Sequence, residues 1–119
     1  MNNPNLSEEI TQLHADICSA LADPSRILLI YALGNRPTCV NDLVAEVGLS
    51  QPATSRHLKI LRERGLVRAI RQGASVEYSL TDDRLIQALD LLRAVLRDRI
   101  AYRASLVEGD LIGPETVNE

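Results

Sequence analysis

Residues 40–58, VNDLVAEVGLSQPATSRHL, hold two short helical segments separated by a turn. Gly48 follows the first segment, at a position where glycine supplies the left-handed conformation that ends many helices. Ser50 precedes the second segment, where a serine hydroxyl can cap the free backbone N–H groups of a helix start. Three apolar side chains can pack the two segments against each other: Leu43, Val47 and Leu49. The stretch therefore predicts a helix-turn-helix, with its first helix over about 38–47 and its second from Ser50 to about Arg64.

Two further helices are predicted on the N-terminal side of this stretch. Ser7 can cap the first, whose apolar residues recur at the three- and four-residue spacing of one helix face. They are Ile10, Leu13, Ile17 and Leu21. Asp23 and Pro24 form a cap followed by proline at the first helical position, which predicts a second helix ending near Gly34.

A β-hairpin and a long helix are predicted on the C-terminal side. Residues 66–80, LVRAIRQGASVEYSL, contain two β-prone runs with a turn near Gly73. The last helix spans about Asp82 to Leu106 and carries one apolar stripe. Its members are Leu85, Leu89, Leu92, Leu96 and Ile100. We expect a mainly α fold with a small β-hairpin wing, in the order α-α-α-α-β-β-α, with residues 1–6 flexible, a single domain over 7–106 and a disordered tail over 107–119.

The composition excludes several classes of protein. The 119 residues are 45 % hydrophobic and 24 % charged, which is typical of one globular domain. No apolar run approaches the roughly 18 residues that a membrane span needs, and the N-terminus lacks the features of a signal peptide, so we expect a cytoplasmic protein with no membrane partner. Glycine-rich phosphate loops, Cys-x-x-Cys pairs and recognisable nucleophile–base sets are absent from the sequence, which argues against an enzyme.

Positive charge is concentrated in one short window of an otherwise acidic chain. The net charge is −3, yet residues 56–71 contain six basic side chains and one acidic side chain. Arg56, Lys59 and Arg62 share a three-residue spacing and so line one face of the predicted helix. Such a local positive field is typical of a surface that binds nucleic acid, although a solvated helix face would look the same.

The second helix of the helix-turn-helix begins with small polar residues, as expected of a helix whose N-terminal end enters the DNA major groove. Gln51 can read adenine and Arg56 can read guanine. Ser50, Thr54 and Ser55 can bind phosphates or bases, and Lys59 and His57 complete the helix contacts, with packing as the alternative role of His57. Arg68 and Arg71 of the hairpin would contact the flanking backbone and add salt-sensitive affinity.

At these residues the sequence resembles the ArsR/SmtB-type winged helix-turn-helix transcriptional repressors, over residues 10–106. The matching motifs are ALADPSR (20–26), DLVAEVGLSQPATSRHLKILRERGLV (42–67) and RQGASVEYSL (71–80). The resemblance implies a homodimer that binds a palindromic double-stranded DNA operator and is released by an effector. The apolar stripe of the last helix supports a dimer independently, because a two-fold partner would bury it. The alternative function is a winged-helix module for protein interaction or dimerisation without DNA binding.

The residues do not single out one effector, because two metal sites known in the family are both incomplete in this sequence. The Cys-x-Cys of one site reads Cys39-Val40-Asn41, and both histidines of another site in the last helix are replaced. His14, Cys18 and Cys39 remain as candidates for sensing, either as a thiol-redox switch or as a site for a thiophilic metal or metalloid. The alternative is that Cys18 is a small core residue and Cys39 a partly exposed remnant.

Overall fold

The computed structural model describes the backbone of residues 4–112 and the side chains of residues 5–107. Its helices are α1 (Pro4–Leu13), α2 (Pro24–Asn35), α3 (Val40–Val47), α4 (Gln51–Glu63) and α5 (Arg84–Ile112). A π-helical turn (His14–Cys18) and a short 3₁₀ turn (Ala20–Ala22) connect α1 to α2. The strands are β1 (Thr38–Cys39), β2 (Val67–Gln72) and β3 (Ser75–Leu80). The chain divides into two units, one up to Asp83 and one from Arg84 onward.

Local capping interactions determine where the central helices begin and end. The Asp23 carboxylate accepts a hydrogen bond from the Ser25 amide at 2.8 Å and caps α2. Gly48 ends α3 in the left-handed region with φ of 80°. The Ser50 hydroxyl accepts from the Ala53 amide at 3.2 Å and caps α4. These contacts confirm the predicted turn between α3 and α4, because each satisfies a backbone group that a helix end leaves free.

Leucine and isoleucine side chains from α2, α3 and α4 form the core of the first unit. Leu29 and Ile30 of α2, Leu43 of α3 and Leu58 and Leu61 of α4 are fully buried. The core thus clamps the helix-turn-helix onto α2 without any Phe or Trp. Burying a Leu or Ile side chain contributes roughly 1.5–3 kcal/mol, so this cluster holds α4 against α2 and α3.

The wing is part of a three-stranded antiparallel sheet in the order β1-β3-β2. Val67 pairs with Leu80 and Gln72 with Ser75, so the β2–β3 hairpin turns at Gly73, where φ is 63°. At the base of the wing, the Thr81 hydroxyl donates to the Gly65 carbonyl at 2.7 Å. The predicted hairpin is confirmed and is anchored directly behind the end of α4.

Strand β1 is an element that the sequence did not predict. We expected Thr38 to begin the third helix, but Thr38 pairs with Tyr78 and Cys39 pairs with Glu77 on β3. The helix begins only at Val40. A two-residue edge strand has no periodicity of its own, and its pairing partner lies some forty residues away in the chain.

The ends of the chain are more helical than expected. Helix α1 begins at Pro4 rather than after a cap at Ser7, and α5 continues to Ile112 rather than ending at Leu106. Residues 4–6 and 107–112, expected to be flexible or disordered, are therefore helical. Residues 1–3 and 113–119 lie outside the described residues. Proline is compatible with the first turn of a helix, which explains why Pro4 does not delay α1.

Candidate nucleic-acid interface

The N-terminal end of α4 exposes small polar residues, as the sequence predicted. Ser50, Gln51 and Ser55 are all exposed. The Ser50 oxygen accepts the capping hydrogen bond, so its hydroxyl proton is still able to donate to a ligand. The amides of this helix start also carry the positive end of the helix dipole, which favours a nearby anion.

Thr54 does not belong to this exposed surface. Its side chain is fully buried, and its hydroxyl donates to the Ser50 carbonyl at 2.8 Å. Thr54 lies four residues before Leu58 and seven before Leu61, which places all three on the face that packs in the core. The expectation that Thr54 contacts DNA is therefore wrong, and its neighbour Ser55 is the hydroxyl that faces outward.

His57 is half-buried and lies against α2 rather than on the open face of α4. Its Nδ1 atom is 3.3 Å from Nη1 of Arg26. Because the arginine can only donate, this contact requires an unprotonated Nδ1 that accepts. The packing role that we considered for His57 describes this geometry better than a direct contact with DNA.

Five basic side chains form a cationic surface over α4 and the wing. All five are exposed, and no described carboxylate lies within 4.0 Å of any of them. They are Arg56, Lys59, Arg62, Arg68 and Arg71. Arg64, the sixth basic residue of the stretch 56–71, is not part of this surface, because it lies 3.9 Å from Asp16 and donates to the Ala15 carbonyl.

Within the wing, Arg68 and Arg71 are not equivalent. Side chains alternate between the two faces of a strand, so residues 68 and 71 project to opposite faces of β2. Arg71 pairs with Val76 and lies two residues from Gly73, close to the tip of the hairpin. Arg68 pairs with Ser79, nearer the base. The tip position makes Arg71 the more accessible of the two for a contact beyond the body of the wing.

The candidate sensing residues are distributed over two elements. His14 and Cys18 begin and end the π turn and are both exposed, whereas Cys39 is half-buried in β1. Both cysteines are free thiols, and the exposure of Cys18 is inconsistent with a core role. Across the part of the chain that the structure describes, no three His, Cys, Asp or Glu side chains are grouped to hold a metal ion.

Sequence reasoning missed the roles of Arg26, whose side chain is largely buried, and of Arg64, whose side chain is partly exposed; both donate to backbone carbonyls of the segment before α2. Arg26 is part of the ALADPSR motif, so the resemblance could have drawn attention to it. None of the helices in the described part of the chain is long and apolar enough to cross a membrane.

Comparison with known proteins identifies the family. A family profile described as "Bacterial regulatory protein, arsR family" matches residues 23–69, from the cap of α2 into β2. The nodulation protein NolR of Rhizobium meliloti is 34 % identical over 95 residues, covering 80 % of this chain and 78 % of NolR. The chain belongs to the ArsR family. This ArsR-family chain is also 43 % identical over 81 residues to the transcriptional repressor SmtB homolog of Synechocystis, covering 68 % of the chain and about three fifths (61 %) of that repressor's length.

Solved structures agree with this assignment. The crystal structure of Rv0081 from M. tuberculosis matches with a TM-score of 0.69 and 28 % identity, covering 87 % of this chain and 99 % of that one. The family and the winged helix-turn-helix fold predicted from the sequence are thereby confirmed. The SmtB homolog is a transcriptional repressor and Rv0081 is an HTH-type transcriptional regulator, which is the predicted functional class.

Proposed function

We propose that this ArsR-family chain acts as a homodimeric repressor that binds a palindromic operator in double-stranded DNA. The observation that carries the proposal is the cationic surface of α4 and the wing, whose five basic side chains have no acidic partner among the described residues. Exposed cations without acidic partners, concentrated in one short stretch of chain, favour a polyanionic partner, because each phosphate contact releases counterions. Since bacterial operators lie in the cytoplasm, the protein is proposed to act there.

The individual side chains divide into base-reading and phosphate-binding groups. Gln51 and Arg56, at the exposed start of α4, have the donors and acceptors for adenine and guanine respectively. Ser50, Ser55 and Lys59 flank them and suit phosphate oxygens. Arg68 and Arg71 extend the phosphate contacts along the wing. His57 is proposed to orient α4 rather than to read a base.

The homodimer is supported by the exposed stripe of α5. Leu92, Leu96 and Ile100 are 61 %, 54 % and 56 % exposed, at the four-residue spacing of one helix face. Contiguous exposed apolar side chains of this size mark an interaction surface. A two-fold partner would bury the stripe, and helix-turn-helix dimers in general bind two half-sites of a palindrome about 34–36 Å apart.

The test is binding of the reduced full chain to a labelled duplex from upstream of its own gene, against a scrambled duplex. Affinity should fall steeply between about 50 and 200 mM salt, with a log–log slope near −0.9 per phosphate contact. Arg36→Ala is the matched control, because Arg36 is exposed but pairs with Glu46 at 3.7 Å outside the cationic surface. Absence of salt-dependent binding would favour the alternative, a protein-interaction module.

We propose that the effector acts at the free thiols of Cys18 and Cys39, with His14 near Cys18 on the π turn. Two signals suit thiols: oxidation, or coordination of a thiophilic metal or metalloid. The absence of a three-ligand group among the described residues favours oxidation. The operator assay should show release after treatment with hydrogen peroxide and rebinding after reduction, with both effects lost in Cys18→Ser or Cys39→Ser. If peroxide has no effect, soft metals and arsenite added to the reduced protein test the second signal.

A further inference from the structure

Arg26 joins the recognition helix α4 to the segment that precedes α2. Its side chain is only 14 % exposed. On one side, Nε donates to the Ala20 carbonyl at 2.7 Å and Nη2 donates to the Ser19 carbonyl at 3.5 Å. On the other side, Nη1 lies 3.3 Å from Nδ1 of His57, which α4 carries. One guanidinium therefore bridges the end of the π turn and the middle of α4.

Arg64 makes a second connection between the same two elements. It directly follows α4, donates to the Ala15 carbonyl inside the π turn and lies 3.9 Å from the Asp16 carboxylate. His57 and Arg64 are seven residues apart, which corresponds to about two helical turns. Two separate attachment points fix both the position and the direction of a helix, whereas one would fix only a pivot.

Asp23 holds the Arg26 side chain in this arrangement. Its Oδ2 atom is 3.9 Å from Arg26 Nη1, and its Oδ1 atom accepts the Ser25 amide. That amide hydrogen bond lowers the pKa of Asp23 most, and the positive charge of Arg26 lowers it further, against the opposing effect of burial. The carboxylate therefore stays charged at neutral pH beside the guanidinium.

The attachment points lie on backbone that departs from regular α-helix. The Ser19 amide donates to the His14 carbonyl at 3.1 Å, an i to i+5 hydrogen bond that holds one extra residue in the turn. Single π turns of this kind are frequent at functional sites and can shift the register of the residues that follow. Ala15 lies inside the turn, and Ser19 and Ala20 follow it directly, so a change of register there would move the carbonyls that both arginines bind.

We propose that Arg26 and Arg64 are positioning residues that fix the orientation of the recognition helix α4 on the π turn, so that operator specificity depends on a segment that does not itself read DNA. The proposal rests on the DNA-binding function proposed above. It differs from a phosphate-binding role, because Arg26 uses Nε, Nη1 and Nη2 on protein groups and Arg64 directs Nη1 at the Ala15 carbonyl and the Asp16 carboxylate. It also differs from a purely structural role, because specific binding should change more than non-specific binding.

The experiment compares full-length wild type, Arg64→Gln and Arg26→Gln on operator and scrambled duplexes over a range of salt concentrations. The ratio of operator affinity to scrambled affinity should fall about 3- to 30-fold in each variant. The scrambled affinity and the salt slope should stay at the wild-type values, because no phosphate contact is removed. Arg36→Gln, which breaks a surface ion pair away from the π turn, is the control and should leave all three quantities unchanged.

An unchanged ratio in Arg64→Gln overturns the proposal, and so does a reduced salt slope, which would make the arginine a phosphate contact. Arg64 has a side chain that is 38 % exposed, so its variant remains decisive if Arg26→Gln fails to fold. A wild-type protein that does not prefer the operator overturns the proposed function as well. A wild type that prefers it, with variants that keep that preference, overturns only the role of the two arginines.

Discussion

Arg56 is the side chain whose removal tests base reading most directly. It is exposed in the second turn of α4 and has no acidic partner among the described residues. We expect Arg56→Ala to weaken operator binding by about 1–3 kcal/mol for a bidentate contact to guanine and to relax the preference at one base pair of each half-site. Competition with single-base operator variants measures both effects.

Arg62→Ala is the matched control for Arg56→Ala. Arg62 lies on the same helix, is also exposed and has no acidic partner among the described residues, but it is further from the helix start that we propose enters the groove. It should lower affinity for operator and scrambled DNA alike. If Arg56→Ala behaves in that same uniform way, Arg56 binds phosphate and the base-reading set must be reassigned.

Individual contacts of this interface were predictable from the sequence only where they are local. The Ser50 cap depends on an amide three residues away, and Gly48 on its own backbone angle, so both follow from residue type and position. Which of two adjacent hydroxyls is buried, Thr54 or Ser55, depends on the face of α4 that packs on the core. The partner of His57 is Arg26, 31 residues earlier, which no local pattern encodes.

Among the secondary-structure elements, the wing is where sequence-independent phosphate binding can best be tested apart from base recognition. Arg71 lies near the hairpin tip, where we propose that it contacts the DNA backbone rather than a base edge. We expect Arg71→Ala to weaken binding to every duplex by the same factor and to flatten the salt slope by about one unit per protomer. Titrations of operator and scrambled duplexes at four salt concentrations provide the measurement.

Gln72→Ala serves as the neutral comparison for Arg71→Ala. Gln72 is the next residue of β2, is exposed and carries no charge, so its removal should leave the salt slope unchanged. A loss in Arg71→Ala that depends on the sequence of the duplex would contradict a phosphate contact. It would place Arg71 in a groove instead.

The elements themselves were predictable where caps and periodicity agree. Helices α2, α3 and α4 and the β2–β3 hairpin follow from Asp23, Gly48, Ser50 and Gly73 together with regular apolar spacing. The interruption after α1 was not predictable, because Ile10, Leu13, Ile17 and Leu21 keep a helical spacing across it. The residues that hold the π turn, Arg26 and Arg64, come from outside α1.

At the scale of the whole molecule, the proposed binding of DNA by a dimer depends on two features, one in each unit. The unit up to Asp83 carries the cationic surface, and α5 carries the exposed apolar stripe. A single copy of α4 offers few base contacts, so high specificity requires two half-sites. Joining two binding elements raises affinity because the second contact becomes intramolecular, at an effective concentration set by the spacing between them.

Leu96→Glu tests this dependence of DNA binding on the dimer. Leu96 lies between Leu92 and Ile100 in the exposed stripe, so a carboxylate there would be desolvated against apolar side chains at a two-fold interface. We expect sedimentation to show a monomer and operator affinity to fall to the level of scrambled DNA. Gln87→Glu, an equally charged change at an exposed position of α5 off the stripe, should leave both unchanged. A Leu96→Glu protein that stays dimeric would place the interface elsewhere, whereas a monomer that keeps operator specificity would mean that one copy of α4 and its wing reads the DNA unaided.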